Sequence, residues 1–245
     1  MAVAARPPRY LPAADTALVV EFPDIASGSV LDDVLDEVLC LDAAIARRPP
    51  PGVLETVPAI GSLLVEYDPL QTSQAQLRAA LDALLDQPAV APRAGSMWRL
   101  PVHYGGDDGL DLGEVAERCG LTVAEVIDLH THAVFRVGML GNLPGLPYLT
   151  GLPDALRLPR RDDPRAAVPT GSVAVAAGMS CVYPVTGPGG WHVLGRTPIP
   201  LFDPASDPVF LLLPADRVRF DAVDRTRMAE LDVAVASGWR PEPER

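Results

Sequence analysis

The spacing of apolar residues at the start of the chain predicts a strand followed by a helix. Residues 17–22, ALVVEF, form a short β-rich run that is typical of a strand. Apolar residues then recur three and four positions apart over residues 31–45, which is the spacing of one helix face. Ser27 or Ser29 can cap this helix, and the sequence PPPG at residues 49–52 ends it.

Two further strands and a second helix follow in the same region. Residues 53–57 and 62–67 are the strand candidates, and Ser73 with Gln76 three residues later forms a capping box that begins a helix. The order is therefore strand, helix, strand, strand, helix. A strand near residues 98–102 would complete a ferredoxin-like βαββαβ unit.

A short linker separates two expected domains. Residues 87–95, QPAVAPRAG, combine two prolines with small side chains, which suits an extended connection. We therefore place the first domain at residues 1–95 and the second at residues 96–245. The fold class is α+β, with a small ferredoxin-like α/β domain ahead of a β-rich one.

The second domain opens with two helices and continues as short strands. Residues 111–119 end at Gly120, and Thr122 with Glu125 forms a capping box for a helix that reaches about His130. Glycines and prolines then separate the β-rich pieces FRVGML, GSVAVAA, CVYPV, WHVLGR and VFLLLP. Many short strands between turn residues indicate a closed β-barrel, which leaves no strand edge exposed.

Composition disfavours several classes of function. The net charge of −12 disfavours nucleic-acid binding, because such binding needs clustered cations. All 20 basic residues are arginine, so the chain has neither a Schiff-base lysine nor a P-loop lysine. The apolar runs are far shorter than the roughly 20 residues of a membrane span. With no signal-peptide apolar region in residues 1–14, we expect a cytoplasmic protein without membrane contact.

The usual catalytic and metal motifs are missing from the sequence. Cys40, Cys119 and Cys181 are widely spaced without a CxxC pair, so we expect neither disulfides nor a metal site. GxSxG, HExxH and the glycine-rich nucleotide fingerprint do not occur. Motifs alone assign no catalytic residue.

The candidate binding residues lie between Leu140 and Arg196. The loop GNLPGLPYLTGL, which contains Tyr148, can line a pocket or simply make a tight surface connection. The arginines of LPRRDDPR can hold a carboxylate or phosphate, or pair with the aspartates between them. Arg196 stands alone after a glycine and is the better candidate for a buried anion.

Aromatic and histidine side chains leave alternatives open. Trp191 in GPGGW can close over a ligand or plug the barrel end. Tyr183 offers its hydroxyl to a substrate or makes one hydrogen bond in the core. His130 falls on the apolar face of its helix, which favours inward packing. His103 lies beside a glycine turn with two aspartates and fits an acid–base or metal pair.

Several segments together carry a resemblance to a known family. They are ADTALVVEF, PGVLETVPA, SLLVEYDPL, PVHYGGDDGLDL, HTHAVFRVGMLGNLPGLPYLTGL, PRAAVPTGSVAV and GPGGWHVLGRTPIPLFDP. These segments resemble the family of the 5-oxoprolinase B subunit, also called kinase A inhibitor or allophanate hydrolase subunit 1. The resemblance implies a cyclophilin-like β-barrel as the second domain. It also implies a larger companion C subunit, an A subunit, and ATP, with magnesium, used at the level of the complex.

The resemblance further implies a substrate-binding pocket without a catalytic base on this chain. Its residues are His130, Pro144, Gly145, Tyr148, Arg160, Arg165, Met179, Tyr183, Gly190, Trp191 and Arg196. Met179 stands where the family usually has glutamine, and a thioether accepts only weak hydrogen bonds. The expected function is a subunit of an ATP-dependent amide hydrolase of the 5-oxoprolinase or allophanate hydrolase type. The alternative is a regulatory protein that inhibits a histidine kinase through its barrel.

Overall fold

A computed structural model describes residues 7–22 and 31–244 of the chain. The expected helix caps, Ser27 and Ser29, lie outside these residues. The chain divides into two compact units, Met1–Ala94 and Gly95–Arg245. Among the described residues, the structure contains no helix that combines the length and the apolar character needed to cross a membrane.

The first unit pairs an antiparallel sheet with two helices in its described part. Its elements are β1 (Arg9–Ala13), β2 (Ala17–Glu21), α1 (Leu31–Arg47), β3 (Val53–Pro58), β4 (Ser62–Tyr67) and α2 (Gln74–Leu85). The strands lie in the order β1-β2-β4-β3. The predicted capping box between Ser73 and Gln76 is present at the start of α2.

Both helices cover the same face of this sheet. Alternate residues of the two central strands, such as Val20 and Leu63, are fully buried and share one apolar core with Val38 of α1 and Leu77 of α2. Successive side chains of a strand point to opposite faces of the sheet, so the residues between these buried ones point away from the helices.

The strand that completes the first sheet is not the predicted one. The edge position beside β2 is filled by β1. Residues 98–102 belong instead to β5 (Met97–Tyr104), whose Leu100 and Val102 lie in the core of the second unit. The prediction that this segment completes a ferredoxin-like unit is wrong, because a strand's spacing does not specify which sheet it joins.

The second unit is a barrel with helices packed around it. After β5 its elements are α3 (Leu112–Cys119), α4 (Val123–His132), β6 (Phe135–Leu140), β7 (Pro147–Thr150), β8 (Arg165–Val168), β9 (Ser172–Ala176), β10 (Met179–Val182), β11 (Gly187–Gly189), β12 (His192–Arg196), β13 (Arg217–Ala222) and α5 (Arg225–Ala236). Strands β10-β7-β6-β13-β5-β12-β9 close the barrel in that order, and β8 with β11 forms a separate ribbon. The predicted α+β fold, a small α/β unit followed by a β-barrel, is confirmed.

The last barrel strand is β13, and the predicted strand VFLLLP is wrong. Its segment makes a single bridge, between Phe202 and Phe210. β13 instead runs parallel to β5 and antiparallel to β6, with Val218 and Phe220 fully buried. In the run 209–214, Leu212 is buried in the core, but the run does not form a strand.

The two helices predicted at the start of this unit are confirmed. α3 ends at Gly120, whose φ of 68° is left-handed and suits glycine. α4 begins with the capping box of Thr122 and Glu125. Its last turn carries His130 into the barrel core.

Candidate functional site

An apolar cluster on the outer side of the barrel wall gathers most of the candidate binding residues. Along β9, Val173 and Val175 point into the barrel core, whereas Ala174 and Ala176 point to this second cluster. We call it the outer cluster. The members discussed below are Leu146, Tyr148, Met179, Cys181, Tyr183 and Trp191.

Trp191 forms the centre of the polar and aromatic contacts in the outer cluster. Tyr148 meets its ring edge to face, with ring centroids 5.7 Å apart and an interplanar angle of 70°. The guanidinium carbon of Arg160 lies 6.0 Å from the Trp191 ring centroid. The Arg160 side chain is exposed. An exposed cation therefore sits above a buried aromatic surface.

Backbone hydrogen bonds fix the chain on both sides of Arg160. The Pro159 carbonyl lies 3.0 Å from Nε2 of the buried His192, and the Arg161 amide donates to the Gly190 carbonyl at 2.8 Å. Because both flanking residues are tied to the segment that carries Trp191, Arg160 is held close to that ring.

The neighbouring arginines share one buried carboxylate, that of Asp111. Arg165 donates to both Asp111 oxygens, at 2.8 and 2.6 Å, and Arg161 donates at 2.9 Å. The Val193 amide donates to the same carboxylate at 2.7 Å. Burial acts to raise the pKa of Asp111, but the hydrogen bonds from Arg165 and Val193 and the arginine charges outweigh it and lower the pKa. We call this group the Asp111 clamp.

Arg160 differs from those two arginines because none of the described carboxylates pairs with it. Among the residues that the structure describes, its guanidinium makes no ion pair and no hydrogen bond. It therefore remains available to an anion from outside the chain.

Two phenol hydroxyls lie near this free cation. Burial raises the pKa of Tyr148 and of Tyr183, and the nearby Arg160 opposes the rise without cancelling it. Neither hydroxyl has a hydrogen-bond partner within the described residues. Tyr183 lies directly against Gly189, where an added Cβ would be 2.0 Å from the hydroxyl oxygen. At neutral pH both groups stay protonated and can donate hydrogen bonds.

The cluster contains a thiol that is poorly suited to nucleophilic attack. Cys181 is 1% exposed, and burial raises its pKa further above the ordinary value than the nearby Arg160 lowers it. A thiol held in this way stays protonated at neutral pH. Cys181 therefore contributes packing to the outer cluster.

His130 lies in the barrel core and not in the outer cluster. Its Nδ1 is 2.7 Å from the Tyr104 hydroxyl, its Nε2 is 3.2 Å from Ser180 Oγ, and its ring stacks on Phe220 at 4.7 Å. Burial lowers the pKa of His130 from 6.5 to about 3, so the ring is neutral. Through Ser180, it contacts the inner side of β10, whose outer side carries Cys181.

Arg196 is engaged by carboxylates of the chain itself. It donates to both oxygens of Asp232 at 3.0 and 2.8 Å and to Asp108 at 3.0 Å. His103 Nδ1 lies 2.8 Å from the other oxygen of Asp108. Asp232 belongs to α5, which the sequence patterns did not predict, so this pairing had no detectable signal.

The remaining candidates shape the loop between β6 and β7. Gly145 has a φ of 75° and is buried, and an added Cβ would lie 3.0 Å from the ring of Phe210. Pro144 beside it is exposed. The structure thus brings together Tyr148, Arg160, Met179, Tyr183, Gly190 and Trp191. It buries His130 in the barrel core and pairs Arg196 with Asp108 and Asp232, whereas Arg165 lies near Tyr183 but is paired with Asp111.

Three contributors to the site were not among the predicted residues. Leu146 and Cys181 line the outer cluster, and Gly189 makes room for Tyr183. Period-two alternation along β10 could have identified Cys181, because it lies two residues from Met179. Within residues 7–22 and 31–244, no group of three or more His, Cys, Asp or Glu side chains is placed to hold a metal ion.

Comparison with known proteins identifies the family. Residues 8–212 match the family described as the carboxyltransferase domain, subdomain C and D. The chain belongs to this family. The 5-oxoprolinase B subunit of Bacillus subtilis (strain 168) is 35% identical over 221 residues, which cover 84% of this chain and 89% of that protein. The protein of the same name from Escherichia coli O157:H7 is 40% identical over 174 residues, or 69% of this chain and 78% of that protein.

A solved structure supports the same fold across the whole chain. The K. lactis urea amidolyase aligns with a TM-score of 0.81 at 21% identity, covering 99% of this chain. The chain spans 17% of that much longer protein. The stretch matched to the carboxyltransferase domain family contains Arg160 and the Asp111 clamp but ends before β13 and α5. These findings confirm the resemblance drawn from the sequence.

Proposed function

We propose that this chain is the substrate-binding subunit of a hydrolase for small amides of the 5-oxoprolinase or allophanate hydrolase type. It acts with a larger companion subunit, in the cytoplasm. The observation that carries the proposal is Arg160, a cation that has no counter-ion among the described residues and lies above Trp191. Relatives named as the B subunit of 5-oxoprolinase support the reaction type.

The outer cluster matches the chemistry of a small lactam that carries a carboxylate. 5-Oxoproline combines a five-membered ring, an amide and a carboxylate. In this proposal its carboxylate pairs with Arg160, and its ring lies against the partly exposed Tyr148 beside Trp191. The free hydroxyls of Tyr148 and Tyr183 donate to the amide carbonyl oxygen.

The chain supplies binding groups and leaves water activation to the companion. The buried His130 is neutral and already hydrogen-bonded on both ring nitrogens. The Cys181 thiol is buried and stays protonated. A general base must reach the proton that it removes, and neither group is placed in an open site.

The sequence lacks the usual nucleotide-binding motifs. It has no P-loop lysine and no glycine-rich nucleotide fingerprint. In this proposal ATP, with magnesium, therefore binds to another subunit of the complex. No step on this chain passes through the nucleotide.

The test is reconstitution with the companion. We expect the chain, co-expressed with the larger subunit and the A subunit, to form a stable complex that releases ADP in the presence of 5-oxoproline. Omitting this chain should abolish the release. A failure to form a complex, or ADP release that does not depend on 5-oxoproline, other lactams or ureas, would contradict the proposal. Inhibition of a histidine kinase by the chain alone would favour a regulatory role instead.

A further inference from the structure

The open face of the first sheet carries a continuous row of apolar side chains. Leu11, Val19, Leu64 and Val57 are direct cross-strand partners on β1, β2, β4 and β3. Their neighbours Val20 and Leu63 point into the helix-covered core, so these four point to the opposite face. Across three strand spacings the row is about 14 Å long. We call it the apolar row.

The apolar row breaks the usual rule for a sheet covered on one side. Such sheets place polar residues on the uncovered face, and single exposed apolar residues are common. Here Leu11 is 42% exposed and Val57 is 39% exposed at the two ends of one uninterrupted row. Contiguous apolar surface of this kind is typical of an interaction site.

Two carboxylates beside the row repel each other. Glu55 on β3 lies directly opposite Glu66 on β4, on the same face as the row. Both side chains are exposed, and neither has an ion-pair partner among the described residues. Like charges directly opposite in a sheet are destabilising. On the other side of the row, Glu21 is neutralised by Arg9.

We infer that this face is the docking surface for the companion subunit, which places apolar side chains on the row and an arginine or lysine between Glu55 and Glu66. The inference rests on the proposed function for the existence of that companion. A cation in this position would relieve the repulsion between the two carboxylates. The surface therefore favours a partner that is positively charged at this point.

The same charges disfavour a second copy of this chain as the occupant. The chain carries a net charge of −12. On this face of the described sheet the basic residue is Arg9, which already pairs with Glu21. A symmetric contact would therefore bring acidic surfaces together without new cations.

Reversing the charge of either glutamate should keep or raise the stability of the free chain but weaken its binding to the companion. Glu55→Lys or Glu66→Lys creates an attractive cross-strand pair, so the free chain should melt at the same temperature or higher. The same change should weaken binding to the purified companion at least about 10-fold, measured by titration calorimetry, and less so at high salt. Reversing both charges should weaken binding further. Glu117→Lys, an exposed glutamate on α3, is the matched control and should bind as the wild type does.

Val57→Glu tests the apolar row independently of the glutamate pair. It should weaken companion binding, whereas Leu70→Glu, a change at a 94% exposed residue outside the row, should not. Wild-type binding by all row and glutamate variants in an active complex overturns the docking surface but leaves the proposed function intact. Absence of any complex overturns both. Dimers of the chain alone that these variants disrupt would assign the face to a second copy and overturn the inference.

Discussion

Arg160 and its neighbours Arg161 and Arg165 show that an arginine's role depends on what its guanidinium meets. The latter two are held by the buried carboxylate of Asp111. Arg160 has an aromatic ring below it and no carboxylate partner in the described structure. The motif LPRRDDPR allows all three arginines the same roles, and only the fold distinguishes them.

Removing the charge of Arg160 should affect anionic ligands selectively. In the complex, Arg160→Gln should weaken the binding of 5-oxoproline about tenfold, the scale of one charge-assisted hydrogen bond at a partly exposed site. Binding of 2-pyrrolidinone, the same lactam without a carboxylate, should change little. Titration calorimetry with both ligands measures the difference.

Arg157→Gln is the matched control for this prediction. Arg157 lies in the same segment and pairs with Asp154 at the surface. It should leave both affinities unchanged. An equal loss of affinity for both ligands in Arg160→Gln would show that the residue shapes the proposed binding site without selecting charge.

His130 should give the folding equilibrium a defined pH dependence. Burial lowers its pKa from 6.5 to about 3, so between these values the unfolded chain binds a proton that the folded chain does not. The free energy of unfolding therefore falls as the pH falls through this window, by about 1.4 kcal/mol per pH unit for one proton. In His130→Gln this contribution disappears, and the slope should decrease by that amount.

Urea unfolding at several pH values between about 4 and 6 measures this slope. Tyr104→Phe is the control, because it removes a hydrogen bond to His130 but keeps the histidine. It should lower stability while it retains the wild-type slope. An unchanged slope in His130→Gln would mean that the folded protein accepts the proton in this range.

At the scale of elements, the Asp111 clamp joins the start of α3 to the arginine segment and to β12. Asp111 precedes α3 without capping it through its side chain, because that carboxylate is directed to Arg161, Arg165 and the Val193 amide. The clamp therefore holds three separate parts of the second unit together. It also fixes the segment that presents Arg160.

Asp111→Asn should test the clamp. The change keeps the shape of the side chain but removes its charge, which leaves two partly buried arginines without their partner. We expect a loss of about 2–4 kcal/mol in the free energy of unfolding. Glu114→Gln removes the longer contact to Arg161, at 3.4 Å, and should cost less than about 0.5 kcal/mol. Urea denaturation of both variants compares the two, and equal small losses would contradict a structural role for the clamp.

The elements that the sequence predicted well are those with local signals. α2 and α4 each begin with a capping box, in which two residues three positions apart satisfy each other's backbone groups. β1 was missed because RYLPA contains a proline, which edge strands tolerate but strand patterns penalise. β13 was missed because its partner β5 lies more than a hundred residues away in the chain.

The sequence predicted those parts of the candidate site that local motifs mark. The loop around Tyr148 and the segment around Trp191 were recognisable from their glycines, prolines and aromatic residues. The inward packing of His130 was predicted from the apolar face of its helix. Its contact with Ser180 and the ion pair between Arg196 and Asp232 were not predicted, because residues distant in the chain supply these partners. Which residues face outward is decided by the closure of the barrel.

At the scale of the whole molecule, two units with separate cores carry different parts of the proposed work. The second unit contains the outer cluster, which we propose as the ligand-binding site, and the first contains the apolar row that we assign to the companion. This division predicts that variants of the row change assembly while variants of Arg160 change ligand affinity. The two sets of experiments therefore report on separate surfaces.

The second unit also brings its two ends together. Met97, at the start of β5, pairs with Glu244 near the end of the chain, and the backbone amide of Glu244 donates to the Met97 carbonyl at 2.7 Å. A unit whose entry and exit points are adjacent can be carried inside a longer polypeptide without distortion, as inserted domains are. The adjacent ends of the barrel are therefore compatible with its insertion into a longer polypeptide.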